Sequence, residues 1–424
     1  MSAARTRSAE LAAALRRYEQ RNVTFLGEDF PIFWESARGA VVTDADRNEY
    51  IDCTAAFGVA NAGHSNPRIA AAVASQAGRL THGMGDVHPT EIRVRLFERL
   101  AQIVPKELER FFLATTGSEA IEAALKTALL ATRKHRFAAF RGGYHGLSFG
   151  ALAVAGIERF RKPFAHALGH EPLLLDFPHE GEGIDASGAA FDTDRALAGH
   201  DGDLAAIVVE PIQGRAGAIV PPPGYLRELR RICDERKALL IVDEIFTGFG
   251  RTGRWFAMER DEVVPDILCI GKALGSGVPV SAAIGRAKVM DAWPLSTGEA
   301  LHTSTYLGNP LGCAAAIATI DELQRHDLPQ RANRLGKTIR SRLQALRSHR
   351  VVTDVRGRGL LRAVQFDRAD RAERIVRLAL KNGVIFLQSG VDGNVVTISP
   401  PLVIEEAQLA RAIDVLENAI EEAS

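Results

Sequence analysis

The chain has 424 residues, of which 46% are hydrophobic, so it is long enough to bury a large core and to form more than one domain. Its 52 Lys and Arg residues are balanced by 52 Asp and Glu residues, which removes the electrostatic case for nucleic acid or an anionic membrane as the main partner. No apolar run approaches the roughly 20 residues needed to cross a bilayer, so no membrane partner is predicted.

The cysteines predict a reducing environment. Cys53, Cys233, Cys269 and Cys313 are widely spaced and form none of the C-x-x-C pairs that zinc or redox sites use. We therefore expect reduced thiols in a cytoplasmic protein, with no metal site.

The N-terminal third begins with a helix and a hairpin. The spacing of Leu11, Leu15 and Tyr18 predicts an amphipathic surface helix, and its acidic residues argue against a transit peptide. The segment GAVVTDADRNEYIDC predicts two short antiparallel strands joined by a turn. Helical spacing of apolar residues follows over residues 67–80 and 90–104.

From Phe111 the pattern alternates strand, turn and helix. This alternation predicts an α/β fold whose mainly parallel sheet is covered by helices on both faces. Amphipathic helices return after Asn309, with short strands near residues 360–366, 384–387 and 395–398. We therefore predict a large α/β domain over residues 67–308 and a smaller α+β domain built from residues 1–66 and 309–424.

Two of these strands end on charged residues. The apolar run LLIVD ends on Asp243, and the run ILCIGK ends on Lys272. Ligands bind outside the carboxyl ends of strands in open α/β sheets, so this acid and amine are candidates for chemistry. A plain buried ion pair is the alternative, since two opposite charges at such a position must be paired or bound to a ligand.

Two Gly-containing turns add candidate binding groups. A strand ends at Gly117 and Ser118 just as a helix begins, which favours an anion site, although a Ser at a helix start needs no ligand. In GGYHG, Tyr144 stands among glycines where a flat ligand could stack, or where the ring is simply half-buried in a turn. Pyridoxal phosphate uses all these parts, because it needs a lysine, an acid beside its pyridine nitrogen, an anion site and a group over its ring.

Six motifs stand in order along the chain, namely FLATTGSEA, GGYHG, VVEPIQG, LLIVDEIFTGFGRTG, ILCIGKALGSGVP and HTSTYLGNPLG. Together they resemble one known family, the class III pyridoxal-phosphate aminotransferases of the 4-aminobutyrate, ornithine and acetylornithine type, and the resemblance extends from about Trp34 to Leu416. It implies the type I aminotransferase fold, pyridoxal 5'-phosphate as cofactor, and a homodimer or dimer of dimers with shared active sites.

The resemblance also implies catalytic roles. Lys272 would be the Schiff-base lysine and would move the proton between the substrate carbon and the cofactor. Asp243 would keep the pyridine nitrogen protonated, since a nearby carboxylate favours the charged form.

The remaining implied residues bind the cofactor. Gly117 and Ser118 would hold the phosphate, and Tyr144 would cover the ring. Thr305 matches a threonine that reaches the phosphate from the neighbouring subunit. Glu210 matches a glutamate that positions groups near the cofactor, although a structural hydrogen bond at a strand end would also explain it.

The chain departs from the family pattern at several substrate positions. Thr397 replaces an arginine that binds the α-carboxylate, and Arg215 replaces a glutamate that pairs with that arginine. Leu147 and Phe246 replace an arginine and a glutamine, and Phe57 matches a pocket-wall position. We expect Arg215 to bind the acidic group of the substrate, unless it lies on a loop that points into solvent. Phe57 and Leu147 predict an apolar pocket.

The predicted function is transfer of an amino group from an amine or amino acid, of the ω-amino type, to an α-keto acid. Two alternatives stay open at this point. The same cofactor residues serve amino-acid racemases or epimerases, aminomutases and lyases, and a protein that only binds could retain the fold.

Overall fold

The computed structural model describes residues 6–27, 30–169 and 171–424, so parts of the predicted domains at residues 1–5, 28–29 and 170 lie outside the described residues. The helices are α1 Arg7–Tyr18, α2 Ala55–Gly58, α3 Pro67–Ala77, α4 Glu91–Leu100, α5 Gly117–Thr132, α6 Phe149–Ala153, α7 Glu158–Arg161, α8 Ala186–Ala196, α9 Tyr225–Arg236, α10 Ala287–Met290, α11 Pro310–Arg325, α12 Leu328–Ala345, α13 Ala369–Lys381 and α14 Glu406–Ala423.

The strands are β1 Trp34–Arg38, β2 Val41–Asp44, β3 Glu49–Asp52, β4 Arg110–Ala114, β5 Arg136–Phe140, β6 Leu173–Leu175, β7 Leu204–Val209, β8 Leu239–Asp243, β9 Ile267–Ile270, β10 Ser281–Gly285, β11 Val352–Arg358, β12 Leu361–Phe366, β13 Val384–Ile385, β14 Leu387–Ser389 and β15 Val395–Ile398.

A seven-stranded sheet in the order β4-β10-β9-β8-β7-β5-β6 forms the centre of the chain. Strands β9, β8, β7, β5 and β6 are mutually parallel, whereas β10 is antiparallel to both β9 and β4. The sequence analysis did not predict β10. Its segment SAAIG has one β-branched residue and therefore little strand propensity, and its place is fixed by pairing on both sides.

Helices cover both faces of this sheet, as predicted. Alternate residues of β7 point to opposite sides, so Val208 packs in one core with α5, while Ile207 and Val209 pack in another with α9. All six residues of β7 and all four of β9 are buried. This burial on two faces explains why these strands are continuous apolar runs in the sequence.

Two four-stranded sheets form outside the central one. In the first, the N-terminal strands β1, β2 and β3 are joined by β13, which lies parallel to β3 and brings the two chain ends together. The second has the order β11-β12-β15-β14 and is built from the C-terminal part alone. The α/β fold with a smaller α+β part from both chain ends is thus observed, while the domain boundaries at residues 66 and 308 stay predictions.

The N-terminal helix α1 has no buried residue, in agreement with the predicted surface helix. Within residues 6–27, 30–169 and 171–424, no helix combines the length and the apolar character that crossing a membrane requires.

Candidate active site

The acid and the amine predicted at strand ends lie at the same edge of the central sheet. Asp243 is the last residue of β8 and pairs in register with Cys269 of the parallel strand β9. Lys272 follows β9 after Gly271 and begins a short 3₁₀ turn. The carboxyl ends of two neighbouring parallel strands therefore deliver both side chains to one place.

That place is a cavity of about 530 Å³. Eight of the nine predicted site residues line it, namely Phe57, Gly117, Ser118, Tyr144, Glu210, Arg215, Asp243 and Lys272. Thr305 does not line this cavity and is exposed on the single chain. Leu147, Phe246 and Thr397, which mark the departures from the family pattern, are also in the cavity wall.

Asp243 pairs with a histidine rather than with Lys272. Its Oδ2 atom lies 2.8 Å from Nδ1 of His145, and its Oδ1 atom accepts a hydrogen bond from the Ile245 backbone N–H at 3.0 Å. Both side chains are buried. The plain Asp243–Lys272 ion pair, which was the alternative from sequence, is thus not the arrangement found.

The position of the ring proton of His145 follows from this contact, since a carboxylate can only accept. Burial alone would lower the pKa of His145, but the hydrogen bond and the charge of Asp243, with a smaller contribution from Glu210, raise it overall. His145 therefore donates its Nδ1 proton to Asp243, while its buried Nε2 atom has no hydrogen-bond partner among the described residues. The sequence analysis gave His145 no role, although it stands in the same motif as Tyr144.

Glu210 ties two loops of the site together. It is buried, and its carboxylate accepts the backbone N–H of Tyr144 at 2.9 Å and that of Gly214 at 3.0 Å. Burial raises the pKa of Glu210 to about 7, the charge of Asp243 adds to this rise, and His145 opposes it. Glu210 thus fixes the backbone that presents Tyr144 to the cavity.

Lys272 is held as an amine of weakened basicity. Burial lowers its pKa, whereas the charges of Asp243 and Glu210 act in the opposite direction. Its Nζ atom lies 4.5 Å from the ring centroid of Phe246, a cation–π geometry, and its backbone is left-handed with a φ of 44°. A non-glycine residue in this conformation is uncommon and is typical of functional sites.

Phe246 fits between two glycines. A Cβ atom added to Gly214 would clash with one edge of the Phe246 ring, and one added to Gly58 would clash with the opposite edge. The ring therefore fills the space between the two glycines, and neither position can accept a side chain while the ring is there. The Phe246 ring is thus held in one position beside the Lys272 amine.

The Gly214→Ala variant should consequently lose about 1–3 kcal/mol of unfolding free energy, the usual cost of overpacking. Thermal and chemical denaturation measure this loss. In a Phe246→Ala background the same Gly214→Ala change should cost less, because the clashing ring is then absent. Gly202→Ala is the matched control, since nothing lies near its added Cβ, and an equal loss there would contradict the packing argument.

The residues predicted to form an anion site, Gly117 and Ser118, are the first two residues of α5. Thr116 accepts the backbone N–H of Glu119, and the Glu119 carboxylate accepts the Thr115 backbone N–H at 2.7 Å. The first N–H groups of this 16-residue helix, at Gly117 and Ser118, have no partner within the helix and point toward the helix start. A Cβ atom on Gly117 would lie 2.8 Å from the Ile245 side chain, so only glycine fits here without displacing Ile245.

Arg215 is half-buried in the cavity wall rather than pointing into solvent. Its Nη1 atom donates to the carbonyl of Gly390 at 3.3 Å, and the Gly390 N–H donates back to the Arg215 carbonyl at 3.1 Å. Burial and the charge of Arg159 lower the pKa of Arg215, while Tyr144 opposes this. In the part of the chain that the structure describes, no carboxylate pairs with Arg215.

The wall contains further residues that the sequence analysis did not select. Phe160 packs edge-on against Tyr144, with ring centroids 5.7 Å apart, and Leu387 and Ser389 come from β14. The Ser389 and Thr397 hydroxyls hydrogen-bond to each other, so the position without the family arginine is occupied by a neutral polar pair. The strand predicted near residues 384–387 corresponds to β13 and the first residue of β14, so it includes Leu387 but ends before Ser389, and the sequence did not show that either side chain faces the cavity.

Comparison with known proteins assigns the chain to a family. Residues 26–420 match the family model described as aminotransferase class-III. The chain is 40% identical over 391 residues to acetylornithine aminotransferase of Methanopyrus kandleri, covering 92% of this chain and 95% of the relative. It is 38% identical over 401 residues to putrescine aminotransferase of Pectobacterium atrosepticum, covering 93% of this chain and 83% of the relative.

Solved structures agree with this assignment. The fold matches ornithine aminotransferase from Toxoplasma gondii with a TM-score of 0.86 at 33% identity, covering 98% of this chain and 95% of the other. A transaminase from the marine bacterium Virgibacillus matches with a TM-score of 0.90 at 25% identity, covering 98% and 99%. The predicted family, fold class and reaction are thereby confirmed: the chain belongs to the class-III aminotransferases and is a transaminase.

Proposed function

We propose that this transaminase binds pyridoxal 5'-phosphate in the cavity beside Asp243 and Lys272 and transfers an amino group from an ω-amine or amino acid to an α-keto acid. The observation that carries the proposal is the arrangement at the edge of the sheet. An amine of lowered pKa and a buried carboxylate lie on neighbouring strands, and the free N–H groups of α5 open into the same cavity.

The residues fit the cofactor chemically. Lys272 has no acidic hydrogen-bond partner among the described residues, so its Nζ atom is free to attach the cofactor covalently. Besides the hydrogen bond from His145, the Asp243 carboxylate can accept one from a protonated pyridine nitrogen. The backbone N–H groups of Gly117 and Ser118 can donate hydrogen bonds to a phosphate. When bound, pyridoxal phosphate supplies a conjugated ring that takes up the electrons released at the substrate carbon.

Lys272 carries the proton during transfer. Its lowered pKa increases the share of neutral amine at a given pH, and a neutral amine can take a proton from the substrate carbon and return one. The apolar Phe246 ring under Nζ excludes water from this side, which protects the proton from exchange with solvent.

Asp243, His145 and Glu210 set the electrostatics and the geometry. The hydrogen bond from Nδ1–H of His145 holds the carboxylate of Asp243 in one orientation, so that its charge has a fixed position in the cavity. Glu210 holds the backbone of Tyr144, whose ring lines the cavity and would cover a bound cofactor. Because these groups already have their orientation before the reaction, few dipoles or charges around the substrate have to reorient as it proceeds.

We further propose a homodimer or dimer of dimers in the cytoplasm. Thr305 is exposed and outside the cavity of its own chain, which is compatible with a role in the phosphate site of a neighbouring subunit. The four cysteines are free and buried, as is usual in a reducing compartment.

The reaction can be tested by measuring its first half-reaction, with the amino donor, in the absence of the keto acid. The purified protein, loaded with pyridoxal phosphate, is incubated with putrescine or N-acetylornithine and no keto acid, and the released carbonyl compound is measured by chromatography. We expect about one carbonyl per active site, and further release only after pyruvate or 2-oxoglutarate is added. Continuous conversion of N-acetylornithine into its enantiomer without carbonyl release would contradict the proposal and indicate racemisation.

The carboxylate of the substrate is bound by Arg215 in this proposal. A guanidinium in a half-buried wall without its own carboxylate partner is suited to a substrate carboxylate. The Arg215→Ala variant should raise KM for keto acids roughly 10- to 100-fold, since a hydrogen bond to a charged group contributes about 1.5–3 kcal/mol. Release of carbonyl from putrescine, which has no carboxylate, should change little, and an unchanged KM for keto acids would exclude this role.

A further inference from the structure

A second cavity, of about 1010 Å³, lies behind the wall of the active site. It is bounded by residues that follow β5 and β6, among them Arg141 and Asp176, and by strand β11, which contributes Asp354 and Arg356. In the described part of the chain, no residue lines both cavities. Ligands of open α/β sheets bind outside the carboxyl ends of strands, so this position also suits a ligand.

Short backbone segments separate the two cavities. Residues 214–215 line the active-site cavity, whereas Gln213 and Ala216 on either side of them line the second one. Gly390, which exchanges hydrogen bonds with Arg215, also lines the second cavity. A molecule in the second cavity would therefore contact, from behind, the segment that presents Arg215 to the active site.

Arg356 is buried at the second cavity with one donor atom unused. Its Nε atom donates to the carbonyl of Gly217 at 2.7 Å, and its Nη1 atom donates to Asp354 and Gln365, each at 2.8 Å. Its Nη2 atom is buried and has no hydrogen-bond partner among the described residues. A buried N–H group without an acceptor is unfavourable, and an acceptor in the cavity would remove this cost.

Arg161, the last residue of α7, lines the same cavity and is also buried. Its Nε atom likewise has no hydrogen-bond partner within the part of the chain that the structure describes. Its Nη2 atom lies 3.9 Å from Glu171, whose side chain is 87% exposed, so this contact is long and screened by water. Two buried guanidinium groups thus leave N–H donors available at one cavity.

The interior of this cavity and its mouth differ in charge. The ionisable lining residues that are buried or half-buried are Arg161, His179, Asp354 and Arg356, so one carboxylate accompanies two guanidinium groups. The other acidic residues of the lining are exposed, namely Glu158, Glu171, Asp176, Glu182 and Asp392. Water and salt screen exposed charges, whereas charges in the interior interact more strongly because the effective dielectric constant is lower there. The interior therefore favours an anion.

We propose that this second cavity is an effector site of the transaminase, which binds the carboxylate or phosphate group of a small metabolite through Arg356 and Arg161. The planar, forked guanidinium group is the donor best suited to both kinds of oxyanion. The inference goes beyond the proposed function and does not depend on which residue binds the substrate.

The effect on the reaction passes through Gly217. Arg356 donates to the carbonyl of Gly217, and the N–H of Gly217 donates to the carbonyl of Gly214 at 3.0 Å, next to Arg215. A Cβ atom on Gly217 would lie 3.0 Å from Nη2 of Arg356, so the backbone and the guanidinium group are in close contact. An anion that binds Arg356 therefore fixes or shifts the segment that carries Arg215. By linkage, a ligand in the active site then changes the affinity for the anion by the same factor.

Calorimetry with the cofactor-loaded protein tests the binding. Inorganic phosphate and glutarate are titrated separately, and the one that binds more tightly identifies the kind of oxyanion. Arg161→Met should weaken binding roughly 10-fold, because a hydrogen bond to a charged group is lost. Arg356→Lys should weaken it similarly, since lysine keeps the charge but has no Nη2 donor.

Arg362→Met is the matched control, because Arg362 is a buried arginine that lines neither cavity, and it should leave binding unchanged. All variants are compared under conditions in which circular dichroism shows them to be folded. Binding that is unchanged in both Arg161→Met and Arg356→Lys would overturn the inference. Binding that only Arg215→Ala abolishes would also overturn it, because the anion would then occupy the active site.

Transamination kinetics tests the effector role. In the parent enzyme, the more tightly bound anion should change KM for the keto acid about fivefold or more, the lower end of the usual coupling between two sites. Arg161→Met should require roughly 10-fold more anion for the same change. An equal concentration dependence in parent and variant would indicate direct competition at the active site, and no change in the parent would exclude an effector, so either result overturns the inference. The proposed function fails separately, if the donor alone, without any added anion, releases no carbonyl.

Discussion

Replacing Lys272 by alanine is expected to lower the rate of transamination by at least about 10⁴-fold, the upper range for loss of a positioned proton-transfer group. The variant should also lose the absorbance of covalently attached cofactor, because no other amine lines the cavity within the described residues. Stopped-flow absorbance and carbonyl release measure these two losses in one preparation. The fold should persist, since the variant removes a buried amine that has no ion-pair partner there and whose burial is unfavourable.

Lys337→Ala is a suitable control because Lys337 is an exposed lysine on α12, and it should retain both absorbance and rate. The pH dependence of attachment gives a second check. Since burial lowers the pKa of Lys272, its neutral form should prevail at a lower pH than that of an exposed lysine, and attachment should become fast at that lower pH. A Lys272→Ala variant that keeps the covalent absorbance would show that another group anchors the cofactor.

The convergence of Asp243 and Lys272 at the sheet edge could be predicted because each side chain is encoded in a short, contiguous segment. Asp243 and Lys272 each end an apolar run, and the parallel arrangement of such runs brings their ends to one edge. The Asp243–His145 contact joins residues 98 positions apart. Nothing in the local pattern of GGYHG distinguishes a histidine that bonds an aspartate from one that lies in a turn.

The arrangement of the cavity wall around Arg215 and Phe246 was less predictable than the sheet edge, because it also depends on residues far apart in the sequence. Arg215 and Phe246 were selected because they differ from the family pattern, but their surroundings depend on tertiary packing. Phe246 needs Gly58 and Gly214 on either edge of its ring, and Arg215 needs the Gly390 carbonyl. Antiparallel strand β10 was missed for the same kind of reason, since its place is determined by two neighbours rather than by its own residues.

Asp243→Asn is expected to have the second largest effect on the reaction. The substitution keeps the shape of the side chain but removes its charge, so it can no longer stabilise a proton on the pyridine nitrogen or on His145. We expect the rate of transamination to fall roughly 10²- to 10³-fold, as when one directed electrostatic contact is removed from a catalytic site. The partial reaction with a donor alone should slow in proportion, because the loss acts on the step at the substrate carbon.

His145 provides an independent measurement of the same change. Asp243 raises the pKa of His145 against the effect of burial, so this pKa should fall in Asp243→Asn, as followed by NMR of the ring. A histidine whose folded pKa is raised adds stability below its unfolded pKa, and this stability disappears as the pH rises through the folded pKa. The variant should therefore lose most stability relative to the parent at the acidic end of that window and least above it.

The matched control for this variant is Asp266→Asn. Asp266 is also a buried carboxylate in an ion pair, with Arg230 at 2.6 Å, but it lies outside the cavity. Both variants should be destabilised, Asp243→Asn mainly at the acidic pH where His145 is charged, and Asp266→Asn at every pH, because Arg230 keeps its charge although it still pairs with Asp234. Only Asp243→Asn should lose activity when the two variants are compared at equal folded fraction, because of these two carboxylates only Asp243 lines the cavity. Equal losses of activity in both would mean that Asp243 acts through stability alone.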